Sequence, residues 1–218
     1  MTAFNISSAK NYLSLVKFSH TVFAMPFALS GFFLAYYLTD TPFSWRLLVL
    51  VLFCMVFARN AAMSFNRVVD RFIDKRNPRT ASREIPSGKV TPRSAMLFTI
   101  LNSVLFVVAA YQINLLTFLL APVALLVILG YSYTKRFTVL CHLVLGLGLA
   151  LAPLGAYLSV TGKFHIIPVM YSILVLLWVS GFDIIYSLQD EEFDKNEMLR
   201  SIPAYFGRRK SMWIANTL

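Results

Sequence analysis

Long apolar runs separated by short polar gaps set the plan of this chain. Runs from His20 to Leu38, Trp45 to Phe65, Ala95 to Tyr111, Leu115 to Tyr133, Val139 to Val160 and Ile166 to Tyr186 each come close to the roughly 20 residues a helix needs to cross a hydrocarbon layer. An unpaired backbone is too costly in lipid for anything but helices or a closed barrel, so these runs predict an all-α polytopic transmembrane bundle in a single domain over residues 1–218. Residues 1 to 18 mix polar residues with Phe4, Ile6, Tyr12, Leu13, Leu15 and Val16. They suit a short amphipathic helix lying at the interface, with Lys10 and Lys17 toward headgroups. Pro26 is expected to kink the first span, and Arg59 and Asn60 to interrupt the second. In the fifth, Pro153 and several glycines allow close packing. Ser211 to Leu218 reads as the start of a seventh span that stops short, so the chain is expected to be incomplete at its C-terminus.

Composition agrees with that plan. Of the 218 residues 58% are hydrophobic and 14% charged, with a mean hydropathy of +0.67, too apolar for a soluble domain. A net charge of +10 would point to nucleic acid in a soluble protein, but here the basic residues fall in alternate gaps. Two precede the first span, eight lie from Arg67 to Arg93, two are Lys135 and Arg136, and five lie from Lys195 to Lys210. The intervening short loops hold only Arg46 and Lys163. This is the positive-inside pattern, so no nucleic-acid partner is expected and the N-terminus is expected to face the cytoplasm. Cys54 and Cys141 sit inside apolar runs and read as small hydrophobes, not a disulfide or metal pair. No cleaved signal peptide is expected at the N-terminus.

Candidate chemistry gathers where two apolar runs end. In NRVVDRFIDKRNPRTASREIPSG, Asn66, Asp70 and Asp74 recur every four residues. On a helix each such step advances about 40° around the axis and about 6 Å along it, so the three side chains line one stripe. In FDIIYSLQDEEFD, Asp190 and Asp194 form a second stripe. Both lie on the side predicted to be cytoplasmic. Mg2+ takes oxygen ligands, keeps several waters and is commonly held by one or two carboxylates plus substrate phosphates, which two facing stripes would supply. Arg79 and Arg83 are placed to reach phosphate oxygens or to act as cytoplasmic anchors. A weak internal repeat links the halves: Arg83, Pro86 and Gly88 against Arg200, Pro203 and Gly207.

These motifs, with KFSHTVFAMPFAL, YSYTKR and SIPAYFG, make the chain resemble the UbiA superfamily of intramembrane prenyltransferases over almost its whole length. The resemblance implies a helical bundle around a central cavity. It also implies Mg2+ bound through Asn66, Asp70, Asp74, Asp190 and Asp194, with the four carboxylates as catalytic residues, and a polyprenyl diphosphate donor. Lys135 and Arg136 are implied to lie near the substrates, with Tyr131 before them, and Tyr186 is a further substrate-binding candidate. The expected activity is Mg2+-dependent prenyl transfer to a small aromatic acceptor in quinone biosynthesis, 4-hydroxybenzoate of the ubiquinone route or a menaquinone-pathway aromatic acid. A haem or chlorophyll precursor is an alternative acceptor, and a membrane transporter the rival class. The chain departs from the family pattern at Arg67, where many members carry an acid, at Glu84, where Pro often stands, and at Met198, where Gly is usual.

Two charges lie deeper. Arg59 precedes Asn66 by seven residues and Asp183 precedes Asp190 by seven, which places each on about the same face as its stripe and about 10 Å further in. Since a charge at that depth needs a partner, the two are expected to be counter-ions, directly or through water or substrate, in a polar floor that binds the acceptor. His20, His142 and His165 have no ligand partner at helical spacing and are expected to pack at span ends or in a loop.

Overall fold

In a computed structural model the backbone is described for residues 6–218 and the side chains for residues 11–17 and 24–218. Phe4 and the side chains of Ile6, Lys10 and His20, to which roles were assigned above, lie outside the described residues. The chain runs through ten α-helices with no strand among the described residues: α1 Ile6–Leu15, α2 Phe18–Leu38, α3 Trp45–Val69, α4 Arg71–Arg76, α5 Pro92–Tyr111, α6 Leu115–Thr134, α7 Cys141–Thr161, α8 Ile166–Ser187, α9 Glu191–Asn196 and α10 Ile202–Thr217. A 3-10 turn, Leu188–Asp190, joins α8 to α9.

Among the described residues five helical stretches are long and apolar enough to cross a membrane: Trp45–Val69, Pro92–Tyr111, Leu115–Thr134, Cys141–Thr161 and Ile166–Asn196. The part of α2 with described side chains, Ala24–Leu38, is a shorter apolar helix. The chain is a multi-pass membrane protein. Span ends agree with the apolar runs to within a few residues because polar caps stop the helices there: Ser44, Thr91, Asn114 and Ser201 each accept a backbone N–H of the first turn of α3, α5, α6 and α10. His165 does the same for α8. Arg59 and Asn60 do not interrupt α3, because their own backbone bonds continue the helix and Asn60 Nδ2 donates to Asn102 Oδ1 of α5 at 3.2 Å.

Apolar side chains can face lipid as comfortably as each other, so what holds such a bundle is close approach of backbones. A Cβ on Gly31 of α2 would run into the carbonyl oxygen of Pro153 in α7, and one on Gly146 of α7 would lie 2.5 Å from the Leu176 carbonyl oxygen in α8. These contacts place α7 between α2 and α8, while α3 packs chiefly on α5. The N-terminal helix is less free than an interfacial helix: Leu15 and Val16 are fully buried, and Leu15 packs with Val68, Ile85, Val90 and Ala95. Tyr12 hydrogen-bonds to Ser94, and Ser14 Oγ donates to Glu84 Oε1 at 2.5 Å. Glu84 thereby ties the loop after α4 to α1. The last helix, α10, turns at Gly207, whose φ of 74° is open to glycine at little cost. Its repeat partner Gly88 has a φ of 77°.

Candidate active site

The first acid motif is carried where α3 hands over to α4. Asp70 (φ −88°, ψ 2°) marks a break between the two helices, so the single uninterrupted helix expected from the spacing is not what forms. The stripe survives, because Asp70 N still donates to Asn66 O at 2.9 Å and Asp74 N to Asp70 O at 2.8 Å. The second motif differs more: Asp183 is in α8, Asp190 ends the 3-10 turn and Asp194 is in α9.

Each carboxylate meets a donor from another element. Lys135 Nζ donates to Asp70 Oδ2 at 2.6 Å, and Asn66 Nδ2 donates to the same oxygen at 3.1 Å. Arg136 Nη2 donates to the Val69 carbonyl at 2.8 Å and to Asp70 Oδ1 at 3.3 Å, covering the C-terminal end of α3 where carbonyls lack helical partners. Arg83 Nη1 donates to Asp74 Oδ1 at 2.7 Å. Arg79 crosses from the loop after α4 to the other motif, with Nε donating to Asp190 Oδ1 at 2.9 Å and Nη2 to Oδ2, while Asn77 Nδ2 donates to Oδ1 at 2.9 Å. The paired carboxylate pushes the Arg79 guanidinium above its ordinary value. Its Nη1 reaches the Tyr186 hydroxyl at 3.2 Å, and the guanidinium carbon lies 5.5 Å from that ring's centroid. Asp194 Oδ2 accepts from Ser201 Oγ at 2.8 Å. A bidentate pair, Arg76 Nε and Nη2 to Glu197 at 2.8 and 2.5 Å, joins α4 to the end of α9.

The loop from Asn77 to Arg83 thus touches both motifs and brings them to one end of the bundle. Among the described residues no group of three or more Asp, Glu, His or Cys is close enough together to hold a metal ion; each acid is drawn to a cation, an amide or a hydroxyl instead. The donor set nevertheless suits Mg2+, being four carboxylates and an amide carbonyl. Asp74 Oδ2 is buried without a partner among the described residues, as a ligand-facing oxygen would be.

Of the pairings expected for the floor, the direct one between its two charges does not form. Asp183 does not pair with Arg59; its Oδ2 lies 2.7 Å from Nδ1 of His142, a ring 2% exposed at the start of α7. The physical reason is proximity: α7 and α8 are held against each other along Gly146, so the nearest donor to Asp183 comes from α7 and not from α3. His142 is therefore a buried member of the polar network and not an interfacial packing residue. Arg59 Nε and Arg67 Nε are buried without partners among the described residues. The Tyr131 side chain lies within electrostatic reach of Asp70, Arg67, Asp183 and Arg59, which sets it between the motif and the floor.

A model of the UbiA prenyltransferase family matches residues 24–218. This chain belongs to that family. It is similar to the 4-hydroxybenzoate octaprenyltransferase of Aliivibrio salmonicida, 27% identical over 210 residues that cover 96% of this chain and 73% of the relative. The 4-hydroxybenzoate octaprenyltransferase of Photobacterium profundum is 29% identical over 204 residues, 93% of this chain and 71% of that one. Among solved structures, the apo UbiA homologue from Aeropyrum pernix K1 superposes with a TM-score of 0.84 at 33% identity, covering 91% of this chain and 74% of that one. A UbiA homologue from Archaeoglobus fulgidus bound to DMAPP and Mg2+ shares the fold, with a TM-score of 0.75 at 23% identity over 95% of this chain and 74% of that one. The chain is a prenyltransferase of this family, and the homologue from Archaeoglobus fulgidus is bound to Mg2+ in one solved structure and to Cd2+ in another.

Sequence reasoning missed three members of the network: His142, Asn77 and Ser201. A signal existed for the first, since an acid as deep as Asp183 requires a partner, and His142 is among the few titratable side chains inside a span. Asn77 and Ser201 carried none, being ordinary loop and cap residues by spacing.

Proposed function

We propose that this UbiA-family chain transfers a polyprenyl group from polyprenyl diphosphate to a small aromatic acid of the 4-hydroxybenzoate kind, with Mg2+ as its metal. The observation that carries the reading is that the Asn77–Arg83 loop, with Arg79 and Arg83, and the turn after α6, with Lys135 and Arg136, converge on the Asp70, Asp74 and Asp190 carboxylates at one end of the bundle. Asn66, Asp70, Asp74, Asp190 and Asp194 would hold the metal, which when bound neutralises charge on the leaving diphosphate. The basic residues then exchange a carboxylate partner for phosphate oxygens; a guanidinium can do this with two parallel N–H bonds. The C–O bond to the allylic carbon breaks with its electrons leaving on the diphosphate, a ring carbon of the acceptor bonds to that carbon, and the ring proton passes to a carboxylate or to the released diphosphate. Lipid-facing walls exclude the water that would otherwise capture the allylic cation. Arg59 and Tyr131 form the acceptor's polar surroundings. The distribution of Lys and Arg supports a cytoplasmic site, and the bacterial relatives support a bacterial inner (plasma) membrane as its location.

The test is membranes of the expressed protein incubated with labelled polyprenyl diphosphate, Mg2+ and a panel of aromatic acids, following prenylated product and released diphosphate. Product with 4-hydroxybenzoate that vanishes on chelation is expected. Release of no diphosphate with any acid overturns the reading.

A further inference from the structure

Residues 200–202, between α9 and α10, are fastened to the turn that joins α6 to α7. Arg200 N donates to the Lys135 carbonyl at 2.7 Å and Arg200 Nη1 to the Phe137 carbonyl at 3.1 Å. Ile202 N, an N-terminal donor of α10 with no helical acceptor, donates to Nε2 of His142 at 3.2 Å. Because Nε2 accepts, the ring's proton is on Nδ1 and is donated to Asp183 Oδ2 at 2.7 Å. Ser201, 3% exposed, caps α10 by accepting from Ala204 N at 3.3 Å and donates its hydroxyl hydrogen to Asp194 Oδ2 at 2.8 Å. A continuous line therefore runs from the deep acid of α8 through the His142 ring to the backbone beside Ser201, and on to an acid of the second motif.

We propose that His142 is a positioning residue for the second acid motif: anchored by Asp183, it holds the Ser201–Ile202 segment so that the Ser201 hydroxyl fixes the Asp194 carboxylate for the metal. This rests on the reading of Asp194 as a metal ligand above. A hydrogen bond to the carboxylate that binds a metal orients it, and losing such a bond costs about 10- to 100-fold in metal affinity. Asp183 in this arrangement orients the imidazole.

The test is Mn2+ binding to the purified full chain in detergent with inorganic pyrophosphate present, read by electron paramagnetic resonance and independent of turnover. Ser201→Ala, which removes one hydroxyl, and His142→Asn, which keeps a donor toward Asp183 but leaves Ile202 N without an acceptor, should each weaken Mn2+ about tenfold. The double variant should be no weaker than about the poorer single one, since both act through the same line. His142→Gln, whose carbonyl reaches the place of Nε2, should restore binding to within about threefold of the parent. Unchanged affinity in Ser201→Ala overturns the proposal, as does a double variant showing the product of the single effects. If His142→Asn does not fold, Ser201→Ala and His142→Gln decide it. Failure of the parent chain itself to bind Mn2+ overturns the metal reading, and the proposal with it; binding that these variants leave intact overturns the positioning role alone.

Discussion

Asn66, Asp70 and Asp74 ride on backbone whose i to i−4 bonds continue across the break at Asp70, whereas Asp190 and Asp194 ride on a 3-10 turn and a six-residue helix. The first pair of acids is 2% and 4% exposed, and the second pair is half-buried. Their partners differ in the same sense. Asp70 is gripped by the turn after α6, at the end of a long span, while Asp190 is gripped by Arg79 from a loop and Asp194 by a cap serine. A short isolated helix has little stability of its own and takes its place from tertiary contacts. The first motif is thus a fixed wall and the second is set against it by side-chain contacts.

The largest effects should come from breaking either wall. Asp70→Ala and Asp190→Ala should each lower turnover by about 10²- to 10³-fold, the several kcal/mol expected of a lost metal ligand. Only Asp70→Ala should also lower thermal stability clearly, because it strands Lys135 and Arg136 beside a buried site; near-normal diphosphate release in either variant would remove the two-motif model. Next, Arg83→Ala leaves the Asp74 carboxylate, 4% exposed, without its cation. Breaking a buried pair this way costs about 3–5 kcal/mol, visible as a large drop in unfolding midpoint in detergent. Arg79→Lys should act more gently on the movable side, raising the donor's KM about tenfold with little change in the acceptor's, since an ammonium cannot make two parallel bonds. Equal rises for both substrates would show that Arg79 serves the acceptor as well. The smallest effect is at Met198, 86% exposed with φ +54°. A side chain in that left-handed region costs about 1–2 kcal/mol, part of which glycine gives back through its freer unfolded chain. Met198→Gly should therefore raise stability by less than about 1 kcal/mol, and a fall would mean that the methionine side chain itself holds the end of α9.

Much of this arrangement could be read from residue order. The spans, their ends and the four-residue spacing of Asn66, Asp70 and Asp74 were legible because lipid imposes length and apolarity on any crossing helix, and because helical period places side chains on faces. Which acid meets which base was not. Arg79 reaches Asp190 across 111 residues, Lys135 reaches Asp70 across 65, and His142 takes Asp183 across 41, in place of the Arg59 that the matching seven-residue offsets pointed to.

Residue order alone determined that this chain crosses a membrane repeatedly and carries two acid stripes at span ends, because those properties are local: length, period and the cost of a charge in hydrocarbon. Only the tertiary structure decided that α7 lies against α8 at Gly146, that His142 rather than Arg59 answers Asp183, and that the Asn77–Arg83 loop crosses to Asp190. The face a side chain shares follows from its own helix. The neighbour it meets there depends on how closely two backbones approach, and that is settled by packing between helices far apart in the chain.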